Sequence, residues 1–134
     1  MKRLILAIIT GMVVITLLSV GTDHIFHVTH VYPPYGVPMF DAGLLLLATA
    51  YRFIFQILGS WLAAAIARSR ASAATWTMGI IGVVMWIAGM IAMKGFGPAW
   101  YPLLGAALSI PSSLLGRQIY YARHRRQNNH LNIV

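Results

Sequence analysis

The stretch 42-AGLLLLATAYRFIFQILGSWLAAAIA-67 decides the fold, because Arg52 is its only charged residue. A segment of this length exceeds the roughly 20 apolar residues that a helix needs to cross a ~30 Å hydrocarbon core. Its apolar residues do not alternate with polar ones, as the strands of a membrane β-barrel require. The stretch therefore predicts a membrane-spanning α-helix.

Three further apolar segments flank this one, at Leu4 to Thr22, Ala71 to Met93 and Gly95 to Gly116. In lipid, a helix satisfies its own backbone hydrogen bonds, so each segment predicts another span. We therefore expect an all-α integral membrane fold, with four transmembrane helices in two antiparallel hairpins. The expected elements are helices at about 4–29, 42–67, 73–93 and 99–120, an outer loop at 30–41 and a basic cytoplasmic tail at 117–134.

The composition agrees with a single membrane domain covering residues 1–134. Of these 134 residues, 59% are hydrophobic and only 9% are charged, which is too apolar for the surface of a soluble protein. The chain has no cysteine. Disulfides, thiolate metal ligands, iron–sulfur clusters and cysteine nucleophiles are therefore excluded.

The charges, which sum to +8, lie unevenly around the four segments. Lys94, Asp23 and Asp41 fall on one predicted side of the membrane. The cations on the other side are Lys2, Arg3, Arg68, Arg70, Arg117, Arg123, Arg125 and Arg126. By the positive-inside rule, this asymmetry predicts that both termini are cytoplasmic. We interpret the basic tail as an orientation signal and a contact for anionic lipid, and expect no nucleic-acid partner.

The first segment has an alternative interpretation as a cleaved signal peptide. Lys2 and Arg3 resemble its basic n-region, and Ser19-Val20-Gly21 offers small residues where a signal peptidase cuts. The apolar stretch is long for a signal peptide and suits a span. Whether this helix is cleaved is left open.

Histidine residues and an aspartate lie close together in the sequence where the first helix is predicted to end. If the helix runs to about Thr29, then Asp23, His27 and His30 lie at i, i+4 and i+7 on one face. Imidazole and carboxylate ligands one turn apart suit zinc or copper(II). Asp23, His27 and His30 are therefore a candidate divalent-metal site, and the alternative is a set of interfacial histidines beside Tyr and Pro residues.

Arg52 is a charge inside an apolar segment, which costs at least ~2.5 kcal/mol at a membrane centre and suggests a function. At about 1.5 Å per residue, Arg52 and Asp23 rise about 24 Å and 28 Å from the cytoplasmic boundary. This similar depth predicts an Asp23–Arg52 ion pair within the membrane. Asp41 lies roughly 16 Å higher on the same helix and is out of reach. The pair is either a structural clasp or part of a site for an anion.

Small and polar residues mark the faces on which the helices are expected to pack. Arg52, Gln56 and Ser60 form a polar stripe at i, i+4 and i+8, which should face the protein interior. Small residues also recur at steps of three and four on the last two segments and predict close helix packing. They are Gly79, Gly82 and Gly89 on one segment, and Gly105, Ser109, Ser112 and Gly116 on the other.

Several motifs carry a resemblance when taken together. They are His24-Ile25-Phe26-His27, Val31-Tyr32-Pro33-Pro34-Tyr35-Gly36, Pro38-Met39, Tyr51-Arg52 and Gly97-Pro98-Ala99-Trp100-Tyr101-Pro102. Through them, most of residues 1–116 resembles small uncharacterised four-helix proteins of bacterial inner membranes. The resemblance implies a bacterial inner-membrane location and assigns no catalytic residue.

Two classes of function follow from these observations. The first is a non-enzymatic component that packs against itself, as a homo-oligomer, or against a membrane partner protein. The second is a transporter or binding protein for a metal ion, proton or small anion, using the Asp23, His27, His30 and Arg52 cluster. No catalytic combination of side chains shares a membrane depth, so we expect no enzyme and no cofactor.

Overall fold

A computed structural model of the protein describes residues 2–34, 38, 40–95 and 97–133. These residues are all-helical and include no strand, as the sequence predicts. The elements in chain order are α1 (Lys2–Val28), α2 (Ala42–Ala67), a 3-10 turn (Arg68–Arg70), α3 (Ala71–Ala92) and α4 (Trp100–Ile133).

Helix α1 ends at Val28, so it does not extend to His30 as the metal hypothesis requires. His30 adopts a left-handed backbone conformation with φ 62°, and the Val31 and Tyr32 amides both donate to the Phe26 carbonyl. This is how a helix satisfies its last carbonyls. Because Pro33 follows, the chain turns away here. His30 therefore does not lie one helical turn above His27.

Local capping sets both ends of α2. Asp41 Oδ1 accepts a hydrogen bond from the Leu44 amide at 3.1 Å, which caps the first turn. At the other end Arg68 takes φ 54° and starts the 3-10 turn. The turn reverses the chain, so that α3 packs back along α2. A Cβ on Gly82 of α3 would lie 3.7 Å from Gln56 Nε2 of α2.

Two helical stretches are long and apolar enough to cross a membrane. One is Lys2–Val28. The other is Ala42–Ala92, which contains α2, the 3-10 turn and α3. Helix α4 is not among them, within the residues that the structure describes.

The packing directions follow from contacts at the two ends of α1. Near its start, Arg3 Nε donates to the Ile66 carbonyl at 2.8 Å, and near its end Asp23 pairs with Arg52. Helices α1 and α2 are therefore antiparallel. Between these ends lies a buried core of small side chains and one methionine. It consists of Ala7, Ala63, Ala67, Ala74 and Met78.

Glycine allows close contact between the helices at most of the positions predicted from the sequence. A Cβ on Gly116 would lie 2.6 Å from the Ile57 carbonyl oxygen, and one on Gly79 would lie 3.1 Å from Ile110 Cα. Gly82 faces Ser109 at 2.9 Å, and Gly105 lies under the indole ring of Trp86. Ser109 and Ser112 are buried beside them.

Gly89 is the exception, and its predicted packing role is wrong. A Cβ at Gly89 would meet no atom within 4 Å. The physical reason lies in the preceding turn of α3, where the large Trp86 ring occupies the space above Gly105. Gly89, one turn further along α3, borders open space.

Helix α4 is longer than the sequence pattern predicts. It runs to Ile133, past the end expected near residue 120, so residues 117–133 continue the helix instead of forming a separate tail. Pro111 lies within it. Residues 117–133 contain neither glycine nor proline, so nothing in the local chemistry ends the helix earlier.

Candidate functional site

The site is built around the carboxylate of Asp23, which joins α1 to α2. Its Oδ2 accepts a charge-assisted hydrogen bond from Arg52 Nη2, and its Oδ1 accepts one from the Tyr51 hydroxyl. The ion pair predicted from helix register is therefore present. The Asp23 side chain is 24% exposed and the Arg52 side chain is 32% exposed. The pair is reachable from outside the core.

Aromatic residues enclose the pair on one side. The Tyr32 hydroxyl lies 3.0 Å from the Tyr51 hydroxyl, and the Phe26 ring packs against both tyrosines at centroid distances of 5.1 and 5.7 Å. Burial of Tyr32 raises the pKa of its hydroxyl, and the nearby Asp23 charge acts in the same direction. The Tyr32–Tyr51 hydrogen bond and the Arg52 charge lower the pKa in part. The network therefore keeps Tyr32 protonated.

The Arg52 guanidinium also contacts two aromatic faces. Its Cζ lies 5.9 Å from the Tyr51 ring centroid and 5.7 Å from that of Trp86, within cation–π range. Its Nε is buried and has no hydrogen-bond partner among the described residues. A buried N–H without a partner is costly, and such groups need an explanation.

A cavity of about 870 Å³ lies beside Arg52 and is lined by residues from α1, α2, α3 and α4. Its charged wall residues are Arg52, Asp23 and Lys94, together with His27. The rest of the wall is largely apolar and includes Met12, Met85, Met90 and Trp86. We call this space the central cavity. Its volume falls within the range typical of ligand sites, which is about 300–1,000 Å³.

The candidate metal ligands do not converge. Among the residues that the structure describes, no group of three or more His, Asp or Glu side chains could hold a metal ion. Asp23 is engaged by Arg52 and Tyr51, and His27 Nδ1 lies 2.8 Å from the Pro33 carbonyl. His30 lies beyond the end of α1. The geometry thus favours an ion pair over a metal centre at Asp23.

The polar stripe of α2 faces the protein interior, as predicted, and two of its residues contact α4. Gln56 Nε2 donates to Ser113 Oγ at 2.7 Å, and the buried Ser60 hydroxyl donates to the same oxygen at 3.1 Å. The stripe therefore joins α2 to α4, beginning one helical turn after Arg52. It fixes the depth at which Arg52 enters the cavity.

Sequence reasoning missed three members of the site. Tyr51 and Tyr32 form the hydroxyl relay to Asp23, and Tyr101 of α4 packs edge-on against Trp86 at 5.2 Å. Tyr51 could have been found from its position beside Arg52, which gives it nearly the same depth. The position of Tyr32 depends on the turn after α1, and no periodic pattern in the sequence predicts that turn.

No family model, no curated protein and no solved structure matches this chain. The residues of the central cavity therefore carry the functional inference.

Proposed function

We propose that the protein is a non-enzymatic, multi-pass protein of the bacterial inner membrane that binds a small anion in its central cavity. The observation that carries this proposal is the Arg52 guanidinium in the cavity wall, which pairs with Asp23 through Nη2 and keeps 32% of its side chain exposed. Both termini would be cytoplasmic, and the cavity would lie near the opposite, periplasmic side.

The outer surface of the helices supports a membrane location. Large apolar side chains are strongly exposed, among them Leu17 (67%), Met85 (61%) and Ile91 (71%). Such a surface is unfavourable in water and costs nothing in hydrocarbon. Because α2 and α3 fold back on each other, each would make its own crossing. Helix α4 would make the fourth, with its buried serines turned towards α2 and α3.

The chemistry of Arg52 favours an anion over a cation. A guanidinium carries five N–H donors, and Asp23 accepts from Nη2. Lys94 adds a second positive charge to the cavity wall, whereas Asp23 is the one carboxylate among the lining residues. In a largely apolar cavity, a carboxylate or phosphate would bind to the remaining donors with little competition from water.

The alternative, a component whose small faces bind a partner protein, has less support. Gly79, Gly82, Gly105 and Gly116 all contact other helices of the same chain. Those faces are therefore already used in the fold. An anion site uses the residues that the fold leaves incompletely satisfied.

Anion binding is tested with purified protein in a neutral detergent, titrated with inorganic phosphate and with acetate. Trp86 lies 5.7 Å from Arg52, so its fluorescence should report binding. We expect a saturable change for at least one anion, lost in Arg52→Gln and in Trp86→Phe. Arg3→Gln, at the far end of α1, is the matched control and should keep the signal. No saturable change with either anion would refute the proposed function.

The membrane arrangement has its own test. Alkaline phosphatase is active only in the periplasm, so fusions after Phe40 and after Lys94 should be active. Fusions after Arg70 and after the C-terminus should be inactive and should fluoresce when the reporter is green fluorescent protein. An active phosphatase at the C-terminus would overturn the four-span arrangement.

A further inference from the structure

The central cavity continues far from its charged end. Along α1 its lining residues extend from Asp23 to Met12, about 16 Å at the rise of a helix. Near Met12 the cavity closes, because a Cβ on Gly11 would lie 2.7 Å from Met78 Cε of α3. The cavity is therefore a long slot with charges at one end only.

The deep part of the slot offers few free polar groups to a ligand. The Ser109 and Ser112 hydroxyls line it, but each donates to a carbonyl of its own helix at 2.7–3.0 Å, and Gln56 Nε2 donates to Ser113. Thr16 and Ser19 of α1 add two further hydroxyls to an otherwise apolar wall. The neighbouring wall contains flexible apolar side chains, of which Met12, Met85 and Met90 adapt readily to irregular shapes. A small hydrated anion would fill only the charged end.

We propose that the ligand is an anionic membrane lipid, with its phosphate at Arg52 and one acyl chain in the slot between α1 and α3. This inference rests on the proposed anion-binding function and names its ligand class. Charge complementarity with Arg52 and Lys94 selects the headgroup, and the apolar slot selects the chain. The exposed apolar residues beside the slot, such as Met85 and Val20, place it next to the lipid from which such a ligand would come.

Thr16 of α1 provides a way to separate the chain from the headgroup. It is an exposed residue of the slot wall, seven residues or about 10 Å along α1 from Asp23. Thr16→Phe should narrow the slot and leave the charged end unchanged. Leu17, the next residue, is 67% exposed and does not line the slot. Leu17→Phe is therefore the matched control.

The experiment uses the full chain, incubated with dioleoyl phosphatidylglycerol and dioleoyl phosphatidylcholine in dodecyl maltoside. Native mass spectrometry then counts the retained lipids. We expect wild type and Leu17→Phe to retain about one more phosphatidylglycerol than Thr16→Phe or Arg52→Gln. Thr16→Phe should still show the phosphate-induced fluorescence change of the wild type.

The outcomes separate the two proposals. If Thr16→Phe retains as much phosphatidylglycerol as Leu17→Phe, no chain occupies the slot, and the lipid proposal fails while anion binding stands. If phosphatidylcholine is retained equally well, the headgroup is not selected by charge, and the lipid proposal again fails. If wild type binds neither inorganic phosphate nor acetate and retains no additional phosphatidylglycerol, both proposals fail together.

Discussion

Asp23 of α1 and Arg52 of α2 form an ion pair, and the Tyr51 hydroxyl donates to the other oxygen of the same carboxylate. This arrangement uses both carboxylate oxygens and leaves donors of the guanidinium available. It ties α1 to α2 at the charged end of the central cavity. The pair is thus both a link between helices and the support that orients Arg52.

Removing the carboxylate should weaken the fold. We expect Asp23→Asn to lower the free energy of unfolding in detergent by about 1–3 kcal/mol, because Arg52 then loses a charged partner in a partly buried site. Asp41→Asn is the control, since asparagine caps a helix as well as aspartate and should change stability little. Equal stability of Asp23→Asn and wild type would contradict a structural role for the pair.

Adding one methyl group at Gly116 should separate α2 from α4. The new Cβ would lie 2.6 Å from the Ile57 carbonyl oxygen and 2.7 Å from the Trp61 nitrogen, and these are backbone atoms that cannot move aside cheaply. We expect Gly116→Ala to cost about 1–3 kcal/mol. Gly21→Ala, which has no contact to disturb, should gain up to about 1 kcal/mol from helix propensity. Thermal unfolding of the two variants gives the comparison, and a stabilised Gly116→Ala would refute the close contact.

Ser113 should matter more than an exposed hydroxyl of the same kind. Its oxygen accepts from both Gln56 and Ser60, so Ser113→Ala leaves two donors unsatisfied. We expect a loss of about 1–2 kcal/mol. Thr77→Ala is the control, because the Thr77 hydroxyl donates to its own helix at an exposed position. If Gln56→Leu abolishes the effect of Ser113→Ala in a double-mutant cycle, the coupling is direct; additive losses would exclude it.

Stability should fall in alkali partly through Tyr32. The pKa of its hydroxyl is raised in the folded protein above the ordinary value of about 10, so the folded state holds this proton more tightly than the unfolded state. That contribution is complete below pH about 10 and is lost as the pH rises through the raised pKa. Above pH 10 the unfolding temperature of wild type should therefore fall more steeply than that of Tyr32→Phe.

Helix class and the central ion pair were predictable because both follow from chain periodicity. The apolar segments predicted α2 at its observed limits, and the rise per residue placed Asp23 and Arg52 at one depth. The predicted inward face of Arg52, Gln56 and Ser60 is confirmed by their contacts. In a regular helix the rise and rotation per residue are constant, so the depth and direction of a side chain follow from its position in the sequence.

The failures lie where a side chain or a turn breaks that regularity. Gly89 was predicted to pack, but a Cβ there would meet no atom within 4 Å, and the contact with α4 is made by the Trp86 ring one turn earlier. His30 was placed on the face of Asp23 and His27, but its left-handed backbone ends that face. The cavity is lined by side chains of four helices, so the residue spacing within any one helix does not predict it.

The unbroken course of α4 joins two distant parts of the molecule mechanically. At Gly116 the helix rests against the backbone of α2, with Trp100 about 24 Å to one side and Ile133 about 26 Å to the other. Between Trp100 and Gly116 the helix is also held by Gly79 and Gly82 of α3 and by Gln56 of α2, whereas residues after Gly116 extend beyond these contacts. A change at the charged end of the cavity would therefore reach the C-terminal end only through this packed part of α4.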